Sequence, residues 1–242
     1  MVATSTPTFL TAEWRNLAML NYEVDAAILA DRVPGGCELD SWDGRTFVSV
    51  VGFQFLETRV RGVAIPFHRD FEEVNLRFYV RRKCDGEWRR GVVFVKEIVP
   101  RWATAWVARV VYGEKYVALP MRHVIRREGD HTTLTYEWRR GGEWEGLSID
   151  FLGTPTVPAD DSEECFMTEH YWGHSRQRDR SCVEYQVEHP RWRVWPGSAA
   201  RLSCNAAALY GPEFVAALSD TPRSAFVAEG SPIIVRRGLR LT

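Results

Sequence analysis

Residues 71–99 read FEEVNLRFYVRRKCDGEWRRGVVFVKEIV. Two runs rich in valine and aromatic residues, Val74–Arg82 and Trp88–Val99, flank the dipeptide Asp85-Gly86, which favours a tight hairpin turn. Four apolar residues follow one another at Val92–Val95, so we expect neither side of this strand to face solvent. The pattern therefore predicts an antiparallel sheet that is covered on both sides or closed into a barrel.

Three further turns that contain glycine carry the same hairpin pattern. They are Asp43-Gly44 between Glu38–Trp42 and Arg45–Phe55, Gly141-Gly142 between Thr132–Arg139 and Glu143–Phe151, and Gly230-Ser231 between Ser224–Glu229 and Pro232–Arg237. Another extended pair is predicted for Cys182–Glu188 with Trp192–Trp195. Consecutive hairpins favour a barrel. We therefore predict a mainly β, antiparallel barrel or cone that forms a single domain over residues 9–242, with residues 1–8 as a loose N-terminal arm.

Helical segments are few and short. Three are predicted, at Ala26–Arg32, Ala103–Tyr112 and Glu213–Leu218. Asp25 is placed to cap the first of them, and Pro212 opens the last at a first-turn position. The segment Pro155–Glu164 is rich in proline and acidic residues, and it is a candidate loop over a pocket mouth.

The composition is that of a folded, nearly neutral protein. The 242 residues are 45% hydrophobic, include 10 Trp, 8 Tyr and 12 Phe, and carry a formal net charge of −1. Without a strong positive field, the chain is not expected to bind nucleic acid or a membrane surface. The longest uncharged runs, Thr46–Leu56 and Leu202–Pro212, are too short to span a bilayer. Met1–Ala12 lacks the pattern of a secretory signal, so we expect a cytoplasmic protein.

Motifs for metals and cofactors are weak or missing in the sequence. Five cysteines are scattered without a Cys-x-x-Cys spacing, so we expect reduced thiols. His170 and His174 are four residues apart, but glycine and aromatic neighbours disfavour a helix there, and we predict no metal site. The sequence contains no phosphate-binding glycine loop and no serine nucleophile elbow, and no cofactor is expected.

Seven phrases of the chain are distinctive: NLAMLNYEV (16–24), VGFQFL (51–56), FEEVNLRFYV (71–80), RGVVF (90–94), TEHYWG (168–173), VEHPRW (187–192) and AEGS (228–231). Together they resemble the YqjF-like family of uncharacterised bacterial proteins, also called the domain-of-unknown-function 2071 family, from about Phe9 to about Val235. Members of this family look distantly similar to acetoacetate decarboxylase. The resemblance implies a largely antiparallel β-barrel or cone around a small buried pocket.

Lysine occurs only at Lys83, Lys96 and Lys115. Acetoacetate decarboxylases form a Schiff base through a lysine that follows a Gly-aromatic-Pro turn, with a second lysine adjacent. At the similar stretch VYGEKYV (111–117), Tyr116 and Val117 stand at the lysine positions and Lys115 at the proline position. Lys115 and Lys96 are therefore candidate Schiff-base nucleophiles, since burial lowers the pKa of a lysine and exposes its neutral amine. The alternatives are a solvent-facing Lys115 near a helix end and a Lys96 that snorkels to a rim.

Alternate residues of one predicted strand indicate a carboxylate site. Phe71-Glu72-Glu73-Val74 resembles the aromatic-x-Glu strand that supplies a pocket carboxylate in the decarboxylases, which implies that Glu73 points inward. Asn75 and Arg77 then share the face of Glu73 by the two-residue strand period. The guanidinium of Arg77 is suited to hold a substrate carboxylate by two hydrogen bonds, and Glu73 is also a candidate catalytic group. A purely structural Glu–Arg pair is the alternative.

Four more residues are candidate ligand-binding residues: His123, Glu169, His170 and Trp172. An imidazole titrates near neutral pH, which suits a histidine at a pocket wall, whereas a hydrogen-bonded core histidine is the alternative for His170. His68 and His123 follow proline-containing turns near the predicted site strands, where histidines more often have structural roles.

The leading functional expectation is a protein that binds a small carboxylate-bearing metabolite, such as an oxo acid, inside the barrel. The second is a Schiff-base enzyme that carries out decarboxylation, aldol or dehydration chemistry on an oxo acid through Lys115 or Lys96, so whether the chain is an enzyme stays open. The third is a scaffold without a ligand, which acts through its surface or forms a homo-oligomer at an exposed strand edge.

Overall fold

The computed structural model describes residues 6–64, 69–100, 116–177, 179 and 181–241. The strands are β1 (Thr8–Val24), β2 (Glu38–Leu39), β3 (Thr46–Val60), β4 (Val63–Ala64), β5 (Phe71–Cys84), β6 (Glu87–Val99), β7 (Tyr116–Ala118), β8 (Met121–Glu128), β9 (His131–Arg140), β10 (Glu143–Leu152), β11 (Trp172–Arg176), β12 (Cys182–Glu188), β13 (Val194–Ser203), β14 (Ser224–Arg236) and β15 (Leu239–Leu241). Among the described residues the helices are α1 (Glu163–Thr168), α2 (Ala206–Leu209), α3 (Val215–Ser219) and the 3-10 helices Ala26–Arg32 and Pro212–Phe214. The predicted helix Ala103–Tyr112, His68 and Lys115 lie outside the described residues.

Seven strands form a closed hydrogen-bonded circuit. Its order is β12-β11-β6-β5-β3-β1-β14, and it closes where Val187 of β12 pairs with Val235 of β14. The neighbours in this circuit are antiparallel except β6 and β11, which are parallel. Strand β14 also pairs with β13, from which β10, β9 and β8 continue outside the circuit. The predicted mainly β class is confirmed.

Both faces of the central strands are buried, which explains their unbroken apolar runs. On β3, Val48 and Val50 belong to an outer core cluster that includes Tyr136 of β9. The intervening residues turn the other way, and Val51 belongs to an inner cluster. Gly52 lets the outer layer approach closely, because a Cβ atom there would lie 2.6 Å from Cδ2 of Tyr136.

Several local predictions from turn and cap residues are confirmed. Asp85-Gly86 joins β5 to β6, and Gly141-Gly142 joins β9 to β10. The Asp25 side chain accepts a hydrogen bond from the Ala27 backbone N–H at 2.8 Å and so caps the helix that follows. Pro212 begins the predicted helix near the C-terminal end of the chain.

Three predicted strand pairings are wrong. Trp42 and Arg45 do bond to each other across Asp43-Gly44, but β2 pairs with β5 instead of β3. Strand β12 pairs with β11, β14 and β15 instead of β13. Strand β14 continues through Gly230-Ser231 without a hairpin turn, and Gly230 has its φ of +80° within the strand. The missing side chain of Gly230 lets the backbone of β1 approach β14 closely, since a Cβ atom at residue 230 would lie 2.0 Å from the backbone oxygen of Trp14.

The domain boundaries stay a prediction, with residues 1–8 as an arm and residues 9–242 as one domain. Within the described ranges, no helix has the length and apolar character that a membrane crossing requires.

Candidate functional site

A cavity of about 110 Å³ is lined by residues from all seven strands of the circuit. This volume is enough for several water molecules or a small organic molecule. Most of the wall is apolar or aromatic, and the hydrophobic lining residues include Leu17, Val51, Phe53, Val92 and Trp192. The buried polar lining residues are Glu73, Asn75, Arg77, Glu97, Thr168 and His170. An apolar wall with a few convergent polar groups is typical of a small-molecule binding site.

Strand β5 supplies three of these polar residues through its two-residue period. Glu73, Asn75 and Arg77 all line the cavity, and all are buried. The Asn75 amide Nδ2 donates a hydrogen bond to Oε1 of Glu73 at 3.0 Å. The structure therefore brings together the three β5 residues that the sequence predicts at the site.

The Arg77 guanidinium is buried without a carboxylate partner. Its Nη2 donates to the backbone oxygen of Met167 at 3.4 Å, and its Cζ lies 5.7 Å from the ring centroid of Tyr79. Among the described residues, no carboxylate oxygen lies within 4.0 Å of its nitrogens, and Nε has no hydrogen-bond partner. A guanidinium in this state has unused donors and an uncompensated charge for an anionic group.

His170 forms a buried pair with Asp40 at the cavity wall. Its Nε2 lies 3.2 Å from Oδ2 of Asp40, which also accepts a hydrogen bond from Nε of Arg90 at 2.7 Å. Burial opposes ionisation of Asp40, but the hydrogen bonds from His170 and Arg90 outweigh it and lower the carboxyl pKa to about 2. Burial, together with the positive charges of Arg90 and Arg77, lowers the pKa of His170 to about 4 despite the contact with Asp40. At neutral pH the imidazole is therefore neutral beside a charged carboxylate.

The imidazole tautomer follows from these two charge states. An ionised carboxylate only accepts hydrogen bonds, so Nε2 of His170 carries the proton that faces Asp40. Nδ1 is then the unprotonated nitrogen, and it is buried without a hydrogen-bond partner among the described residues. The ring itself packs against Tyr79 and Phe166, with centroid distances of 4.7 and 5.0 Å, and these two rings also contact each other at 5.3 Å. His170, which lines the cavity, therefore has a buried acceptor atom without a partner among the described residues.

The other predicted residues divide between the cavity and the rest of the fold. Trp172 lines the cavity, and the guanidinium of Arg89 lies 4.2 Å from its ring centroid. Lys96 does not line it. Leu76 pairs with Lys96 and Arg77 pairs with Phe94, so the register shifts and Val95 is skipped. Glu97 then follows Phe94 on the cavity side of β6.

His123 and Glu169 are not among the lining residues either. His123 lies with Nδ1 2.7 Å from Oε1 of Glu72 and Nε2 2.6 Å from the amide nitrogen of Gln54. The hydrogen bond from His123 lowers the pKa of Glu72, whose side chain alternates away from that of Glu73. Glu169 ends α1 and accepts a hydrogen bond from the Tyr171 hydroxyl.

Sequence reasoning missed four polar groups of the site: Asp40, Glu97, Thr168 and His189. The Tyr116 hydroxyl donates to Oε1 of Glu97 at 2.9 Å, and both residues line the cavity. His189 stacks on Trp192 with a centroid distance of 4.1 Å, and burial lowers its pKa. His189 and Thr168 lie in two of the distinctive sequence phrases, which was the available signal, whereas Asp40 lies in none.

Two further predictions concern the surroundings of the site. No residue of the loop Pro155–Glu164 lines the cavity. His170 and His174 do not share a ligand, because His174 Nε2 lies 3.1 Å from Glu184 and not near Asp40. In the part of the chain that the structure describes, no three His, Cys, Asp or Glu residues are grouped to hold a metal ion.

The fold is that of acetoacetate decarboxylase-like proteins. A structure of acetoacetate decarboxylase from Legionella pneumophila superposes with a TM-score of 0.65 at 14% identity, covering 100% of this chain and 92% of that one. The enduracididine biosynthesis enzyme MppR complexed with pyruvate gives a TM-score of 0.69 at 14% identity, covering 99% and 92%. An acetoacetate decarboxylase-like enzyme from Sphingomonas wittichii RW1 gives 0.64 at 15% identity, covering 97% and 94%.

Sequence comparison identifies a relative with higher sequence identity than these three solved structures. The uncharacterized protein YqjF of Bacillus subtilis (strain 168) is 26% identical over 196 residues, which cover 79% of this chain and 77% of that protein. The family model DUF2071, described as an uncharacterized conserved protein, matches residues 11–232. The predicted resemblance is thereby confirmed, and the chain belongs to the DUF2071 family of uncharacterized conserved proteins.

Proposed function

We propose that this protein binds a small carboxylate-bearing metabolite in the cavity and that Arg77 anchors the carboxylate. The observation that carries the proposal is the buried guanidinium, which lacks a carboxylate partner among the described residues and lines an otherwise apolar cavity. A buried charge is costly unless a counter-charge offsets it, and a ligand carboxylate would supply that charge. Asn75, Glu73 and His170 surround the same ligand in this proposal.

The structural relatives support the class of ligand. MppR has been solved with pyruvate, and also with the condensation product of pyruvate and imidazole 4-carboxaldehyde. Pyruvate is therefore the first oxo acid to test on this chain. Its size suits a cavity of about 110 Å³, and its carboxylate suits the planar fork of an arginine.

Isothermal titration calorimetry with a panel of small carboxylates tests the proposal. Arg77→Met keeps the side-chain volume but removes the charge, and we expect affinity to fall about 10- to 100-fold, since hydrogen bonds to charged groups contribute about 1.5–3 kcal/mol. Arg77→Lys should retain part of the affinity because it keeps the charge without the fork. Arg193→Met is the matched control, because Arg193 is exposed and pairs with Glu229. Unchanged binding by folded Arg77→Met would refute the proposal.

A Schiff-base lyase is the second candidate function, and one observation favours it. Tyr116, which follows Lys115 in the chain, lines the cavity and bonds to Glu97. Borohydride reduction in the presence of pyruvate, followed by intact mass and peptide mapping, tests this candidate. A pyruvate-dependent adduct on Lys115 or Lys96 would establish carbonyl chemistry, and the absence of an adduct with any oxo acid would remove it.

A further inference from the structure

We infer that the ligand carries a hydrogen-bond donor beside its carboxylate, as a hydroxy acid does and an oxo acid does not. The inference rests on the proposed function and narrows its ligand class. It is carried by two buried acceptor atoms that have no partner among the described residues, Oδ1 of Asn75 and Nδ1 of His170, both on residues that line the cavity.

The first acceptor is fixed by the amide orientation of Asn75. The amide nitrogen Nδ2 of Asn75 donates a hydrogen bond to Oε1 of Glu73 at 3.0 Å, which fixes the orientation of the amide. The amide oxygen Oδ1 is consequently the atom left without a partner, and Asn75 is only 1% exposed. A buried carbonyl oxygen in this position needs a donor from outside the described protein groups.

The second acceptor is fixed by the contacts of His170. Asp40, held by Arg90, accepts a hydrogen bond from the Nε2–H of His170, and the lone pair of Nδ1 has no donor among the described residues. Tyr79 and Phe166 pack against the imidazole, and the His170 side chain is 1% exposed. A protonated Nδ1 would place a second positive charge in a wall that already holds Arg77, so the neutral acceptor form is favoured.

Arg77 and one of the two acceptors complement the two functional groups of a hydroxy acid, its carboxylate and its hydroxyl. Arg77 and His170 both pack against the ring of Tyr79, and both line the cavity. The ligand carboxylate accepts from Arg77, and its hydroxyl donates to His170 or to Asn75. The keto oxygen of an oxo acid has no proton to donate and would leave both acceptors unsatisfied. A site that hydrogen-bonds a substrate hydroxyl discriminates strongly against the analogue that lacks it.

Four ligands of matched size test the inference on the full chain: lactate, pyruvate, propionate and alanine. By calorimetry we expect lactate to bind at least about 10-fold more tightly than pyruvate or propionate. If pyruvate binds as tightly as lactate and Arg77→Met abolishes both, the inference is overturned and the proposed function survives. If alanine binds and lactate does not, the donor is an ammonium group and the hydroxy-acid assignment is overturned. If none of the four binds, both proposals fail.

His170→Phe removes the acceptor and keeps an aromatic ring packed against Tyr79 and Phe166. We expect this variant to lose the preference for lactate over propionate and to keep the weaker, Arg77-dependent binding of propionate. A nitrogen NMR spectrum of the wild-type imidazoles needs no variant: lactate should shift the resonance of the unprotonated His170 nitrogen, and propionate should not. An unshifted resonance at saturating lactate would overturn the role of His170.

Discussion

Acid should destabilise this protein through His170 before its carboxylates begin to titrate. Burial lowers the pKa of His170 from 6.5 to about 4 in the folded chain. Between these two pH values the imidazole is protonated in the unfolded chain and neutral in the folded chain. The free energy of unfolding therefore falls as the pH drops through 6.5, and it continues to fall until about pH 4. At about 1.4 kcal/mol per pKa unit, the full loss is about 3 kcal/mol, of which about 2 kcal/mol has occurred at pH 5.

The pH window separates this effect from that of the buried carboxylates. The pKa of Asp40 is lowered from 3.8 to about 2 and that of Glu184 from 4.5 to about 2, in both cases by hydrogen bonds from histidine and arginine that outweigh burial. Their folded forms bind protons less readily than the unfolded chain, so their stabilising contributions are complete above about pH 4.5 and disappear as the pH falls towards 2. Burial also lowers the pKa of His189, so His170 is isolated by comparing wild type with a His170 variant between pH 7 and pH 5, because His189 contributes equally to both.

Urea denaturation of the wild type and of His170→Gln at pH 7 and pH 5 measures the effect. The glutamine amide keeps a donor for Asp40 but cannot be protonated, so the variant should lose about 2 kcal/mol less than the wild type over this interval. His131→Gln should behave as the wild type, since the His131 side chain is 42% exposed. If wild type and His170→Gln lose the same unfolding free energy between pH 7 and pH 5, the imidazole is not buried in its neutral form. The assignment of an unprotonated Nδ1 would then be wrong.

Five further substitutions, two of them controls, test the packing and the charges of the fold by the same denaturation assay. Gly230→Ala should lower the free energy of unfolding by about 3 kcal/mol or more, because the new Cβ atom would clash with a backbone oxygen of β1. Gly142→Ala should lower it by only about 1 kcal/mol through backbone strain, because no atom lies within 4 Å of the new Cβ. Glu184→Gln should lower the free energy of unfolding by about 3 kcal/mol, because it removes the charge of a buried carboxylate that pairs with Arg82 and Arg89. Glu229→Gln at an exposed pair should lower it by less than about 1 kcal/mol. Arg77→Met should leave stability unchanged or raise it by about 1 kcal/mol, and a large destabilisation would show that the guanidinium serves the fold.

Turn chemistry predicts local structure well and long-range pairing poorly. Asp85-Gly86 and Gly141-Gly142 form the predicted hairpins, because the two residues of each turn need backbone conformations that glycine accommodates without help from the rest of the fold. Gly230 shows the same left-handed backbone inside a continuous strand, where the cause is a neighbouring strand that approaches too closely for a side chain. A single sequence does not distinguish these two reasons for glycine.

The same limit applies to the site. Glu73, Asn75 and Arg77 were predictable as a group, since strand periodicity places alternate residues on one face once one of them is known to point inward. Asp40 was not predictable, because it lies 130 residues from its partner His170 and meets it only through the folded circuit. No spacing rule joins residues at that distance.

The skipped residue in β6 decides which charged group faces the cavity. Val92 and Phe94 line the cavity, and regular alternation would put Lys96 there next. Instead, Val95 is left out of the register, Lys96 pairs with Leu76, and Glu97 takes the inward position. The described part of the wall thus holds a carboxylate where regular alternation would place an amine, so Schiff-base chemistry at this cavity would depend on Lys115. Without such a lysine, the described polar groups offer a ligand hydrogen bonds alone, which agrees with the binding function that we propose and that calorimetric titration with small carboxylates tests.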